Sequence, residues 1–305
     1  MIRIKKWIRT ALGYHPDAVF FCARGKIVEV VFPIYVFCVI LNVKLGICRG
    51  VIMYFEKYGD SQKPTIVFLH GAHFVHSFGK QYVLSDKYYL VVPHIMGYGN
   101  DAGRVFDTDQ AVRELADFIR GLNKTVMLVG FSLGAQLAVR LISEYGELFN
   151  SAVIVSPWLI KEEPMLSRAL AANEKQLLSM QKKWLCCLVG LMYGLRGAQR
   201  KEFVEQVQKE QLGTIKNTVY NGITLESAGG LANVEIPMIA LAGAKEQAEI
   251  KKSVTALHQI NIKCRVEVWE EAGHNIPMAF DERFNALLGG MMERISLNAE
   301  SRKVK

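Results

Sequence analysis

Thr125-Val126-Met127-Leu128-Val129 runs directly into Gly130-Phe131-Ser132-Leu133-Gly134, and Ala135, Gln136, Leu137, Ala138 and Val139 follow without a break. The first five residues are apolar and include β-branched ones, which reads as a buried strand. The last five read as the first turns of a helix. Between them stands Gly-x-Ser-x-Gly, so a serine is held in a sharp strand-to-helix turn and lifted clear of the backbone. Glycine on either side is required there because a Cβ would collide with the neighbouring strand and helix. The helix beginning at the turn aims its free amides and positive dipole end at any anion formed beside the serine. An ordinary Gly-rich βα turn shares the composition, so the pentapeptide gains its meaning from the strand before it and the helix after it.

The same alternation extends outward from this turn. Val51–Tyr58, Thr65–Leu69, Tyr88–Val92, Ala152–Ser156, Met238–Ala242 and Arg265–Trp269 read as further strands. Helical patterns lie between most of them, at Asp107–Leu122, Ser132–Glu147, Gln247–Ile260 and Met278–Leu297. Strands apolar throughout and alternating with helices predict an α/β domain with a mostly parallel central sheet covered on both faces. No strand is evident from Trp158 to Val234. That stretch keeps helical periodicity, with Trp184, Leu185, Leu188, Val189, Met192 and Tyr193 forming one broad apolar region. It reads as a helical cap inserted at about 159–233, since a structureless loop of that length is improbable.

The chain has 305 residues, half of them hydrophobic, and a formal charge of +8. Residues 1–50 carry +6 of that charge, so the basicity belongs to an N-terminal appendage. This argues against a nucleic-acid-binding face on the main domain. The six cysteines, Cys22, Cys38, Cys48, Cys186, Cys187 and Cys264, are irregularly spaced and form no Cys-x-x-Cys. Reduced thiols in a cytoplasmic setting are expected, and neither a disulfide framework nor a zinc site.

The appendage, residues 1–48, combines a basic amphipathic start (Met1–Arg9) with the apolar run Val30–Leu41 inside a low-charge stretch, Ile27–Val43. A spanning helix needs about 20 apolar residues, and this run is shorter. No small-x-small site follows it, as a signal peptide requires. Three readings fit: a membrane-associated helix or short anchor, a strand or helix buried in the domain, and a misassigned start. The domain proper, 49–305, is expected to show its strand pattern from Val51.

The elbow within this alternation resembles the α/β-hydrolase superfamily, from about Val51 to the C-terminus. Further motifs match residue by residue. Phe68-Leu69-His70-Gly71-Ala72-His73 fits the family's His-Gly motif after an early strand. The resemblance places an oxyanion hole at the N–H groups of Ala72 and Leu133, donors preset for a tetrahedral intermediate. Glu270-Glu271-Ala272-Gly273-His274-Asn275 occupies the place of the family's catalytic histidine after the last strand. His274 is then the general base for Ser132, with Gly273 permitting the turn that brings it back over the sheet. His70 is structural in the family. The acid departs from the usual aspartate: Gly243-Ala244-Lys245-Glu246 puts Glu246 in its place. A solvated helix-start glutamate is the competing reading. After the Tyr88–Val92 strand, His94-Ile95-Met96-Gly97-Tyr98-Gly99 stands where many members read Asp-x-Arg-Gly-x-Gly, which implies altered loop packing. His73, Phe131 and Trp158 are expected to line the substrate pocket.

The resemblance implies a serine hydrolase that cleaves a carboxylic ester or thioester through an acyl-enzyme, with a small-molecule substrate bearing an apolar group. Acyl transfer, and lactone or amide cleavage, use the same three residues. A non-catalytic binding protein of this fold is the alternative from another class. No cofactor, metal or nucleic acid is expected. Neither glycine cluster has the spacing of a phosphate-binding loop. The oligomeric state stays open.

Overall fold

The computed structural model describes residues 22–23, 26–27, 43–48, 51–192 and 195–303. The chain divides into two compact units, Met1–Lys44 and Leu45–Lys305. Within the first, Cys22–Ala23 pairs antiparallel with Lys26–Ile27. Met1–Arg9 and Val30–Leu41, on which the membrane reading rests, lie outside the described residues. Among the described residues no helix is long and apolar enough to cross a membrane.

Eight strands form one sheet: β1 (Val43–Cys48), β2 (Val51–Tyr58), β3 (Thr65–Leu69), β4 (Tyr89–Pro93), β5 (Val126–Phe131), β6 (Phe149–Val155), β7 (Met238–Gly243) and β8 (Cys264–Trp269). Their spatial order is β8-β7-β6-β5-β3-β4-β2-β1. From β3 to β8 every pairing is parallel, and β2 joins β4 antiparallel. The sheet starts earlier than the Val51 expected from the sequence. In β1, Val43, Leu45 and Ile47 alternate with Lys44, Gly46 and Cys48, the period of a strand. Gly46 and the apolar run before it obscure that period.

Burial follows from the strand composition. Ile66, Val67, Phe68 and Leu69 are all fully buried, as a central parallel strand requires. Val67 and Leu69 face a core shared with α1 (Thr108–Arg120), α2 (Leu133–Tyr145) and helix 248–260. Ile66 and Phe68 face the opposite core with Trp269, Phe284, Leu288 and Met292. Asp107 caps α1 by accepting the Gln110 N–H at 2.8 Å.

Between β6 and β7 come the helices α3 (Met165–Met180), α4 (Lys183–Met192), α5 (Gly197–Val207) and α6 (Leu212–Val219). They enclose their own cluster of Leu177, Met180, Cys186, Phe203, Val207 and Ile215, joined by Phe74. The broad apolar region of α4 does not dock as a whole: Cys186 and Gly190 are buried, while Trp184 and Met192 stand 69% and 78% exposed. After β7 come α7 (Ala248–Ile260), α8 (Ile276–Ala279) and α9 (Asp281–Lys303). The helix expected to run unbroken from Met278 is interrupted at Phe280, whose backbone leaves the helical region.

The elbow glycines are the most demanding positions in this scaffold. A Cβ on Gly134 would stand 2.0 Å from the Leu69 carbonyl oxygen and 2.7 Å from that of His70. Both obstacles are backbone and neither can turn aside. Gly134→Ala is therefore expected to destabilise the fold by about 3 kcal/mol or more, read from urea unfolding. At Gly273 an added Cβ meets nothing within 4 Å and φ is not left-handed. Gly273→Ala is the matched control and should unfold like the parent. This corrects the role expected for Gly273. The turn is closed by Ala272 N–H to Trp269 O at 3.1 Å and docked by Lys245 N–H to Ala272 O at 3.0 Å, neither of which needs glycine.

Candidate active site

The C-terminal ends of parallel strands are where an open α/β sheet gathers its functional groups. Register keeps those ends level: Phe131 pairs with Val155, Val155 with Leu241, and Gly243 with Trp269. Ser132 follows β5, Glu246 follows β7 and His274 follows β8.

Ser132 holds φ +54° and ψ −114°, left-handed for a residue with a side chain. Such backbone strain is tolerated only where its surroundings impose it. Here the turn is pinned by Ser132 N–H to Val155 O at 2.9 Å. His274 Nε2 lies 3.1 Å from Ser132 Oγ. On the other side of the ring, His274 Nδ1 lies 2.6 Å from Glu246 Oε1. The imidazole is half exposed (51%), while the Glu246 side chain is 1% exposed. The structure thus brings Ser132, His274 and Glu246 into one hydrogen-bonded line.

Glu246 is not a solvated helix-start residue. Its second oxygen, Oε2, accepts from Gly243 N–H at 2.7 Å and from Ser156 Oγ–H at 2.9 Å. A buried carboxylate with three donors has its charge stabilised and its orientation fixed. Ser156 itself sits at φ +55°, held by Ser156 N–H to Leu241 O at 2.7 Å. Its role was not read from the sequence. The one available signal is its position at the end of β6, level with the elbow.

The His-Gly loop lies against the same turn. A Cβ on Gly71 would stand 3.6 Å from Ser132 Cβ and 3.0 Å from the Phe131 ring. Gly71 N–H donates to Ser77 Oγ at 3.2 Å, which ties the loop back on itself. Leu133 opens α2, so its N–H is one of the end amides that no intrahelical carbonyl takes. His70 is fully buried, its Nδ1–H donates to Gly71 O at 2.7 Å, and its Nε2 accepts Ile95 N–H at 3.0 Å. Burial pushes its pKa down to about 3, so it is a neutral structural residue.

The three expected pocket residues have different surroundings. The Phe131 ring packs 5.1 Å from the His274 ring. His73 is paired with Glu210, which lies between α5 and α6, and meets Tyr98 edge-on at 5.5 Å. Trp158 is half-buried, with Lys161 Nζ 5.6 Å from its ring centre and itself bonded to Asn221 Oδ1. Burial pushes the Lys161 ammonium down to about 7. Cys186 and Cys264 are buried free thiols, pushed by burial up to about 11 and about 12. They are neutral at physiological pH and poor nucleophiles.

The chain is 30% identical over 118 residues to ethanol acetyltransferase 1 of Cyberlindnera jadinii, an overlap of 35% of this chain. The chain thus spans about a third, 34%, of that relative's length. Among solved structures it is similar to the enol-lactonase of Burkholderia xenovorans (TM-score 0.65, 16% identity, 82% of this chain and 100% of that one). It is likewise similar to an esterase of Exiguobacterium antarcticum (TM-score 0.65, 18% identity, 82% of this chain and 98% of that one). At these identities the likeness is one of fold. The model of the alpha/beta hydrolase family, however, matches residues 66–287, from β3 through the elbow, the cap and the His274 turn into α9, and the chain belongs to that family.

Proposed function

We propose that the chain is a serine hydrolase acting on a carboxylic ester or thioester, with Ser132 as nucleophile, His274 as general base and Glu246 as the acid that orients it. One observation carries the reading: the hydrogen-bonded line from Ser132 Oγ through both His274 nitrogens to a buried Glu246. His274 Nε2 takes the Ser132 proton as Oγ attacks the acyl carbon. The carbonyl oxygen becomes an oxyanion facing the N–H groups of Ala72 and Leu133, each worth about 2.7–4 kcal/mol of barrier. The alcohol or thiol then leaves with the proton from His274. Water, deprotonated by the same nitrogen, attacks the acyl-enzyme and frees the acid. Phe131 and Trp158 favour an apolar group in the substrate, and His73 lines the approach from the cap side.

A second reading keeps the acyl-enzyme and replaces water by an alcohol. It is favoured by the overlap with a protein named as an ethanol acetyltransferase. Labelling with a fluorophosphonate tests the shared step: one equivalent is expected on Ser132, blocked by prior incubation with an ester substrate. A p-nitrophenyl ester chain-length series with ethanol present then separates the two readings. Free acid as the main product supports the hydrolase, and ethyl ester the transferase. A purified chain that neither labels nor turns over any ester sinks both.

A further inference from the structure

Glu56 is a buried carboxylate on β2, its side chain 2% exposed. Such a charge costs several kcal/mol unless it is fully partnered. Its Oε2 accepts from Tyr58 Oη–H, but Oε1 has no hydrogen-bond partner. The β2–β4 ladder explains one neighbour. Glu56 pairs with Val92, so His94, two residues on, is its diagonal neighbour on the same face. His94 Nε2 lies 3.5 Å from Glu56 Oε1. Since His94 Nδ1 accepts Asn100 N–H at 2.9 Å, the neutral ring carries its proton on Nε2 and turns a donor toward the carboxylate.

Two more groups converge on the same point. His76, from the loop after β3, sets Nε2 3.7 Å from Glu56 Oε1 and 4.0 Å from Oε2 of Glu202 on α5. Its side chain is 6% exposed and this nitrogen has no hydrogen-bond partner. Its other nitrogen lies 3.2 Å from Tyr82 Oη. With Nδ1–H donating to that phenol, Nε2 presents a lone pair to the two carboxylates. Glu202 Oε1 is taken by Gln206 Nε2–H at 2.9 Å, which leaves Oε2 directed at His76. The three facing atoms lie within 4.8 Å of one another. They are too far apart to bond directly, and electron-rich without a cation among them.

We propose that Glu56, His76 and Glu202 form a binding site for a divalent transition ion, zinc by its donor set, which joins cap helix α5 to the sheet and to the loop after β3. Zinc bonds of about 2.0–2.2 Å in a tetrahedron put ligand atoms about 3.3–3.6 Å apart. To meet that geometry the two spacings from His76, 3.7 and 4.0 Å, close by about 0.1–0.7 Å, and the two carboxylate oxygens, within 4.8 Å of each other, close by up to about 1.5 Å through side-chain rotation. An imidazole with two carboxylates favours zinc over calcium or magnesium, which take all-oxygen sets. Water completes the fourth position. Each ligand already has an orienting neighbour: Tyr58 and His94 for Glu56, Tyr82 for His76, and Gln206 for Glu202. This site is independent of the Ser132 chemistry, yet His76 stands next to Ser77, which holds Gly71.

The test uses the untagged full-length chain, stripped with EDTA and titrated with zinc chloride by calorimetry, with Tm measured in parallel. A single zinc per chain and a raised Tm are expected. Glu202→Gln should weaken binding at least tenfold, Tyr58→Phe about tenfold through the lost bond to Glu56, and His76→Gln should remove it. Glu202→Gln and Tyr58→Phe decide the matter if His76→Gln fails to fold. Absence of zinc uptake by the parent chain overturns the proposal, as does wild-type affinity in Glu202→Gln and Tyr58→Phe. If a proton on His76 balances the two carboxylates instead, zinc does not bind and leaves Tm unchanged, which also overturns it.

Discussion

Ser132→Ala is expected to lower kcat on a p-nitrophenyl ester by about a million-fold and to abolish fluorophosphonate labelling, with unfolding by urea unchanged. The size of the effect follows from what is lost. Oγ is the atom proposed to bond the acyl carbon, and nothing else in the site replaces it. The unchanged stability follows from what is kept. Alanine retains the Cβ at φ +54°, the bond from residue 132 N–H to Val155 O and the two glycine contacts that set the elbow. His274→Ala should cost nearly as much, and the double variant hardly more, because groups acting as a unit do not add. A residual rate of about 10³–10⁴ over water is expected, from the amides of Ala72 and Leu133 and from substrate binding. Normal turnover by purified Ser132→Ala would refute the mechanism.

The elbow, the parallel strands and the residues after β5, β7 and β8 were legible because each is local. A strand, a turn and a helix lie within some fifteen residues, and periodicity reports them directly. What escaped is what depends on distant partners. The identity of Ser156 as a donor to Glu246 is set by β6 and β7 lying side by side, and no spacing in the chain encodes it. The Glu56, His76 and Glu202 cluster is more extreme, since its members come from strand β2, the segment after β3 and the cap. His94 was read only as a departure from the usual Asp-x-Arg-Gly-x-Gly loop. Its facing of Glu56 emerges from the antiparallel register of β2 and β4. Segment Val75–Asp86 was also missed, because its 3₁₀ turns lack a 3.6-residue period. In β1 the alternation is present but lies beside the apolar run Val30–Leu41, whose composition also fits a membrane-associated segment.

Glu246→Gln is the change whose outcome the hydrogen bonds specify most closely. The carboxylate accepts at both ends, from His274 on one side and from Gly243 and Ser156 on the other. A glutamine has one accepting oxygen and one donating nitrogen. Gly243 N–H cannot turn away, so the amide oxygen is held at the Gly243 end and the NH₂ group faces His274 Nδ1. A donor there forces Nδ1 to accept, which moves the imidazole proton to Nε2. That nitrogen then points N–H at Ser132 Oγ and can no longer take its proton. The expected fall in kcat is about 10⁴-fold, the size of a wrong-tautomer defect, with KM little changed because no substrate contact is lost. Ser156→Ala separates this from simple loss of position. It removes one donor and leaves the carboxylate and Gly243 in place, so kcat should fall only about tenfold, the lower value of one bond to a charged group. Equal losses in the two variants would mean that Glu246 acts by holding the loop and not through the imidazole. An unchanged rate in Glu246→Gln would remove it from the proposed mechanism.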